Sequence, residues 1–260
     1  PDNHYCPGGA QAVSCPTGAS SSVGSSLVTN CTCGAGSYLH IEEAESYQNR
    51  SFITDLRCNP CELGKYSSVA VTTSCIFCPA HSTTWTTSST SEADCVCRPG
   101  YYRQVSGSCG PCPNGTYSAG STSSCAHCPD DSFSPQASTS QQDCSCNVGY
   151  TGPDGGSCTP CVPGSFKDTI GSASPQICSR GTYSNASGMS FCFTCTPFSD
   201  APAGSSDITH CKCVPGYAGI DGGPCSSCET GKYSTTSGSH TCVLCEEGKY
   251  LDHAAGVMCT

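Results

Sequence analysis

Cysteine is the residue that could do chemistry in this sequence, with 28 copies among 260 residues. Between residues 58 and 78, the spacing C-x2-C-x13-C-x2-C is close to that of a structural zinc site. Further along the chain, Cys109-Gly-Pro-Cys112 has the spelling of a thioredoxin-type redox pair. Each pattern has to be weighed against the simpler chemistry, in which the sulfurs form disulfides.

Three observations favour disulfides over zinc or redox catalysis. A C-x-C pair closes every full repeat, Ser, Thr and Pro are abundant between the cysteines, and N-glycosylation sequons are present. The two residues inside the Cys109 pair vary freely in the other repeats, and no strand-to-helix setting is predicted that would lower a thiol pKa. The sequence therefore predicts neither a bound metal nor a redox centre.

The other reactive side chains form no catalytic pattern. Seven histidines are scattered without a repeated acidic or nucleophilic partner. Asp154-Gly-Gly and Asp221-Gly-Gly could suggest calcium, but the further oxygen ligands that this ion needs are not clustered, so turns are the better interpretation. We predict that the chain is not an enzyme and uses no cofactor.

The composition explains why disulfides are needed. Leu, Ile, Val and Phe together number 32 of 260 residues, or about 12%. An uncrosslinked chain with less than roughly 20% of these residues usually stays disordered. Closing a loop of about 15 residues removes roughly 3 kcal/mol of unfolded-chain entropy in the loop model. Bridges must therefore replace the core, and bridges persist in an extracellular or cell-surface setting.

The charge and hydropathy patterns exclude two classes of partner. The net charge is −10 and no two basic residues are adjacent, so nucleic acid is not an expected partner. No apolar run approaches the roughly 18 residues that span a bilayer, so no membrane contact is predicted within this segment. Because the sequence starts at Pro1 and stops inside a repeat, we expect a piece of a longer protein.

A repeat of about 50 residues organises the chain. Its pattern is C-x-x-C-x-x-G-x-Y, then C-x-x-C-P, then a Ser/Thr-rich loop that ends on C-x-C-x-x-G-Y. We predict a small disulfide-rich fold, an elongated tandem array of cysteine-rich modules with short irregular β-strands and almost no helix. The predicted modules are 1–57 (degenerate, with a long insertion), 58–108, 109–157, 158–224 (with an extra half-unit) and 225–260 (truncated). A short helix is possible around residues 41–47, in the insertion.

This pattern resembles the ephrin-receptor-like cysteine-rich repeat family, which is similar to tumour-necrosis-factor-receptor and EGF-like modules. The resemblance covers nearly the whole chain and is best from Cys58 to Cys158. It implies largely local disulfide pairing. The implied pairs are Cys33 with Cys58, Cys61 with Cys75, Cys78 with Cys95, Cys97 with Cys109, Cys112 with Cys125, Cys128 with Cys144, Cys146 with Cys158, Cys195 with Cys211, Cys213 with Cys225, Cys228 with Cys242, and Cys245 with Cys259.

Six cysteines remain, in two groups of three. In the first group we favour Cys15 with Cys31, which leaves Cys6. In the second group, either Cys161 with Cys178 or Cys178 with Cys192 can form, and a nonlocal Cys161 to Cys192 bridge is the further alternative. Cys6, Cys161 and Cys192 are therefore the candidates for a free thiol or an intermolecular link.

Four N-x-[ST] sequons predict N-linked glycans, at Asn30, Asn49, Asn114 and Asn185. Cys31 lies inside the first of these sequons. The Ser/Thr-rich loops, especially 82–91, could carry O-linked sugar.

Together these observations predict a non-catalytic extracellular structural glycoprotein segment. It would be a disulfide-stapled rod that serves as a stalk or as a building block of a surface filament, as in flagellar hairs, or of a matrix. Its partners would be other protein chains, copies of itself or neighbours in the assembly. The alternative is a receptor ectodomain that binds a protein ligand along its side.

Overall fold

The computed structural model describes residues 3–7, 11–44, 52–70 and 72–260. The chain divides into two compact units. The first unit comprises Pro1–Pro113, Tyr117–Ala126 and Gln136–Ser140, and the second comprises Asn114–Thr116, His127–Pro135 and Gln141–Thr260. Each unit is described by itself below.

Short strands make up nearly all the regular structure of the described residues. Up to residue 117 they are β1 (His4–Tyr5), β2 (Val13–Ser14), β3 (Ala19–Ser20), β4 (Thr32–Cys33), β5 (Ser37–Ala44), β6 (Phe52–Pro60), β7 (Lys65–Tyr66), β8 (Ile76–Phe77), β9 (Ser82–Thr83), β10 (Val96–Cys97), β11 (Tyr101–Arg103), β12 (Cys109–Pro111) and β13 (Thr116–Tyr117). Over its whole length, the described part of the chain contains four 3-10 helices, at Val28–Asn30, Glu92–Asp94, Gln141–Asp143 and Ile208–His210.

The strands after residue 117 are also short, with two residues each. They are β14 (Ala126–His127), β15 (Ser132–Phe133), β16 (Ser145–Cys146), β17 (Tyr150–Thr151), β18 (Thr159–Pro160), β19 (Ser165–Phe166), β20 (Gln176–Ile177), β21 (Thr182–Tyr183), β22 (Phe193–Thr194), β23 (Ser199–Asp200), β24 (Lys212–Cys213), β25 (Tyr217–Ala218), β26 (Ser226–Ser227), β27 (Lys232–Tyr233) and β28 (Val243–Leu244). Consecutive strands pair antiparallel, for example β19 with β20 and β21 with β22. The disulfide-rich fold class is confirmed.

One small element recurs along the chain, and we call it a half-module. It begins at a cysteine, turns at the third residue after it, runs through two paired strands, and is closed by a disulfide at or just before the second strand. In every copy whose turn the structure describes, the turn residue has positive φ, and glycine usually occupies it, as at Gly164 with φ +84°. Glycine suits this position because it has no Cβ to clash in the left-handed region.

The long insertion is a hairpin, so the predicted helix around residues 41–47 is wrong over its described part. β5 runs through residues 41–44 and pairs with β6, with a register shift between Glu42 and Glu43. The two strands pair over eight positions, whereas an isolated helix of a few residues is only marginally stable in water. Residues 45–47 lie outside the described residues.

Cysteines are the main apolar residues in the interior of both units, and most of the other buried side chains are Ser or Thr. The buried hydrophobic residues are mainly cysteines, together with a few side chains such as Leu39, Tyr66, Ala201 and Leu251. Many large apolar side chains are exposed instead, including Phe77 and Leu244. The interior is therefore a series of buried bridges, in keeping with the low aliphatic content of the sequence.

Candidate functional site

Consecutive half-modules are joined by backbone hydrogen bonds, and this repeated junction is the candidate functional feature. In the second unit, the N–H of Cys178 donates to the carbonyl of Gly164 at 2.9 Å. In return, the N–H of Gly164 donates to the carbonyl of Ser184 at 2.8 Å. In the first unit, Cys112 and Gly100 make the equivalent bond at 2.9 Å. The turn residue of one half-module thus anchors the start of the next.

Some turn glycines also lie against the backbone of a loop in the second half-module after their own. A Cβ on Gly164 would lie 2.4 Å from the carbonyl oxygen of Gly204, and one on Gly149 would lie 2.1 Å from that of Gly188. Gly100 has the same relation to Ala137 in the first unit, at 2.3 Å. Such distances leave no space for a side chain, so these glycines are needed for close approach as well as for their positive φ.

Two of the described half-modules have an aromatic ring at the turn position, which the sequence did not predict. His81 has φ +61° and stacks on Tyr101, with ring centroids 4.2 Å apart. Phe198 has φ +62° and stacks on Tyr217 at 4.3 Å. Positive φ is uncommon for a bulky residue, and the stacking with the following tyrosine offsets part of its cost. In these two copies, the tyrosine that follows C-x-C-x-x-G therefore packs on the neighbouring turn.

Thirteen disulfides lie within the described residues. They include all the pairs that the family resemblance implies, from Cys33–Cys58 to Cys245–Cys259. They also include Cys15–Cys31, the favoured pair of the first leftover group. In the second group Cys178 bonds to Cys192, which was one of the open alternatives.

Cys192 is therefore not a free thiol, and its place among the candidates was wrong. The reason is that Cys178 opens a half-module of its own, which Cys192 closes at a separation of 14 residues. The two free cysteines of the described residues are Cys6, which is exposed, and Cys161, which is buried.

Cys161 lacks a bridge because proline occupies its partner position. The half-module of Cys161 has β19 and β20 in the same register as β7 and β8, which follow Cys61. Cys61 bonds to Cys75, just before β8, and the matching position before β20 is Pro175. The sequence alone could have shown this, since residue 175 is 14 residues after Cys161.

A buried lysine lies in the same half-module. Lys167 is 1% exposed, and its Nζ donates to the carbonyls of Cys146 and Asn147 at 3.4 Å. Burial raises the pKa of the Cys161 thiol, and the charge of Lys167 offsets part of that rise. A protonated, buried thiol is a poor nucleophile, so Cys161 cannot reach a second chain without local opening.

The cysteines of the possible zinc site and of the possible redox pair are all in disulfides, so none of them is available as a thiolate. The four cysteines between 58 and 78 bond to Cys33, Cys75, Cys61 and Cys95, so no two of them share a metal. Cys109 and Cys112 bond to different partners, Cys97 and Cys125. Asp154 accepts a hydrogen bond from the Ser145 hydroxyl at 3.0 Å, within a turn.

Three of the four sequon asparagines fall within the described residues, and all three are exposed. Asn30 ends the 3-10 helix Val28–Asn30, next to the bonded Cys31, while Asn114 directly precedes a turn glycine and Asn185 follows β21 by two residues. Asn49 lies outside the described residues. In the 82–91 loop several hydroxyl groups are buried, and that of Ser82 donates to the Pro79 carbonyl at 2.6 Å.

Comparison with known proteins gives two matches. Residues 51–95 match the family model described as tyrosine-protein kinase ephrin type A/B receptor-like. A stretch of 64 residues, or 24% of this chain, is 42% identical to cysteine repeat modular protein A of Toxoplasma gondii. The chain spans about 2% of the length of that relative. Among the described residues no helix is long and apolar enough to cross a membrane. These matches and the disulfides support an extracellular protein built from cysteine-rich repeats.

Proposed function

We propose that this segment of a cysteine-rich repeat protein is a non-catalytic structural element, a stalk or a building block of a surface filament or matrix. Its partners are other protein chains, copies of itself or neighbours in the assembly. The observation that carries the proposal is the junction between half-modules, which recurs with the same backbone hydrogen bonds in both units. A repeated junction of this kind transmits tension from one element to the next without any specialised site.

The disulfides supply the second requirement of a structural element, which is resistance to extension. Most bridges close loops of 12 to 17 residues, such as Cys97–Cys109 and Cys78–Cys95. Residues inside a closed loop cannot be pulled straight while the bridge is intact. Only the links between bridges can extend under load, and the longest of those described after Cys33 is the unbridged stretch 159–177.

Stretching single molecules tests the proposal. The secreted chain would be pulled from both ends, first in its native state and then after reduction. We expect little gain in contour length before reduction and a gain approaching about 3.5 Å per residue afterwards. A chain that extends at low force with its bridges intact would not serve as a tension-resistant element, and the proposal would be abandoned.

A receptor ectodomain is the second candidate, and one groove in the first unit favours it. The groove has a volume of about 520 Å³ and is lined by Tyr38, Lys65, Ile76 and Phe77 among others. Phe77 is 74% exposed, and the Lys65 ammonium lies 4.9 Å from the centre of its ring. Exposed aromatic rings beside a cation are typical of protein-binding surfaces.

A pair of variants separates the two candidates. For the receptor, F77S would abolish binding of a soluble protein ligand, whereas V243S, at an exposed position of the second unit, would not. For the structural element, both variants leave the extension behaviour unchanged, because neither residue takes part in a bridge or a junction.

A further inference from the structure

The half-module from Cys178 has phenylalanine on both sides of its second cysteine, which its equivalents lack. Phe191 and Phe193 flank Cys192, and they are 52% and 36% exposed. Their rings form an edge-to-face pair with centroids 4.9 Å apart. Tyr183 lies across the hairpin from Phe193, at 5.6 Å. In the other bridged half-modules of this length, the residues that flank the second cysteine are not aromatic: Ser74 and Ile76, Thr241 and Val243, Met258 and Thr260.

The sequon of Asn185 begins two residues after Tyr183. β21 ends at Tyr183, so Ser184 and Asn185 follow the strand directly. Ser184 is fully buried, and its N–H donates to the carbonyl of Ser205, while Asn185 is exposed. Asn185 is therefore open to solvent at the end of the hairpin that carries Tyr183.

The three rings form one group at this end of the hairpin. Tyr183 pairs with Phe193 at the last paired position of the two strands, and Phe191 lies two residues further toward the loop, in contact with Phe193. Asn185 lies two residues beyond Tyr183 toward the same loop, and two residues of chain span at most about 7 Å. Both phenylalanines are thus within reach of a sugar attached to Asn185.

We propose that the first sugar of an N-linked glycan on Asn185 packs its apolar face on Phe191 and Phe193. Glycan attachment would transfer N-acetylglucosamine from a lipid diphosphate donor. A bond forms between Asn185 Nδ2 and the sugar C1, the bond between C1 and the diphosphate oxygen breaks, and the amide loses a proton. The covalent tether confines the sugar to this end of the hairpin, and its C–H groups would cover rings that otherwise contact water.

The test compares local opening with and without the glycan. Wild-type protein, trimmed enzymatically to a single N-acetylglucosamine, would be compared with N185Q by hydrogen exchange over residues 182–194. We expect about threefold to tenfold slower exchange in the glycosylated protein, the range that corresponds to one aromatic contact. The same comparison in the F191S/F193V background, which introduces residues found in the equivalent half-modules, should show no effect of the glycan.

A second sequon provides the matched control. Asn114 is also exposed, but the residue two positions before it is the buried, bonded Cys112, so N114Q should leave local exchange unchanged. An upfield shift of the N-acetyl methyl resonance in wild type, absent from F191S/F193V, would report the ring contact directly. The proposal is overturned if Asn185 carries no glycan, or if the glycan slows exchange equally in both backgrounds. Neither outcome affects the stretching experiment, so the two proposals fail separately.

Discussion

Two neighbouring half-modules share one backbone arrangement, but only one of them has a disulfide of its own. The half-modules that begin at Cys161 and Cys178 have the same turn, the same strand register and the same junction bonds to the next half-module. The second is closed by Cys178–Cys192, whereas the first has Pro175 in place of the closing cysteine. The hairpin thus keeps its shape without a bridge of its own.

This difference separates two roles that are usually combined in disulfide-rich proteins. Backbone bonds to the neighbours on either side hold the shape of a half-module. The bridge acts mainly on the unfolded chain, whose freedom it reduces. A half-module can therefore lose its own bridge as long as its neighbours keep theirs.

The largest expected effect comes from removing every bridge at once. Reduction should unfold the whole chain, because few buried apolar side chains remain to stabilise it and no half-module keeps a disulfide-bonded neighbour. Limited proteolysis and near-UV circular dichroism would follow the loss of structure. If the reduced chain stays protease-resistant, the junctions alone stabilise it and the two roles are not distinct.

Restoring the missing bridge is the next largest effect. P175C should introduce a thiol that bonds to Cys161, because the separation and register match those of Cys61–Cys75. A loop of this length corresponds to about 3 kcal/mol in the loop model. Mass spectrometry would report the bridge, and denaturant unfolding would report the stability. C161A/P175C is the control. If the introduced thiol stays unbonded in the single variant, the two hairpins are not equivalent.

Glycine substitutions distinguish the junctions of the two half-modules. G181A should cost about 1–2 kcal/mol, the penalty of a side chain at positive φ, because the only atom close to its Cβ is a side-chain oxygen at 3.5 Å. G164A should cost a further 1–3 kcal/mol or so, since its Cβ meets the Gly204 carbonyl. Hydrogen exchange of the 195–213 hairpin would reveal the displaced loop. Equal costs would mean that close approach at Gly164 is unimportant.

The smallest effect concerns the Cys161 thiol, which has no counterpart in the neighbouring half-module. Burial raises its pKa from an ordinary value of 9.0, so its stabilising contribution is complete below that pH and is lost as the pH rises past the folded-state pKa. C161A should therefore show a smaller loss of stability on going to alkaline pH than wild type. At neutral pH, iodoacetamide should label Cys6 and spare Cys161. Rapid native labelling of Cys161 would contradict its burial.

The sequence predicted covalent closure better than it predicted packing. The family resemblance implied Cys61–Cys75 and its equivalents, and the spacing permitted them, because a local bridge constrains only the number of residues between two sulfurs. The turns at His81 and Phe198 were missed because no glycine marks them. The boundaries of the five modules stay a prediction. The junctions use backbone N–H and C=O groups, which every residue except proline carries in full, so no side-chain pattern reveals them.

The turn that anchors each following hairpin also explains why the chain can vary in length without losing its order. The extra segment that begins at Cys178 is joined to its neighbours by the usual backbone hydrogen bonds. The N–H of Cys178 donates to the carbonyl of Gly164 at 2.9 Å, and the N–H of Cys195 donates to that of Gly181 at 2.9 Å. One hairpin can therefore be added or removed without a change in the kind of bond that joins its neighbours. The unit that evolution can add is one hairpin, so the intervals between longer repeats are free to be uneven.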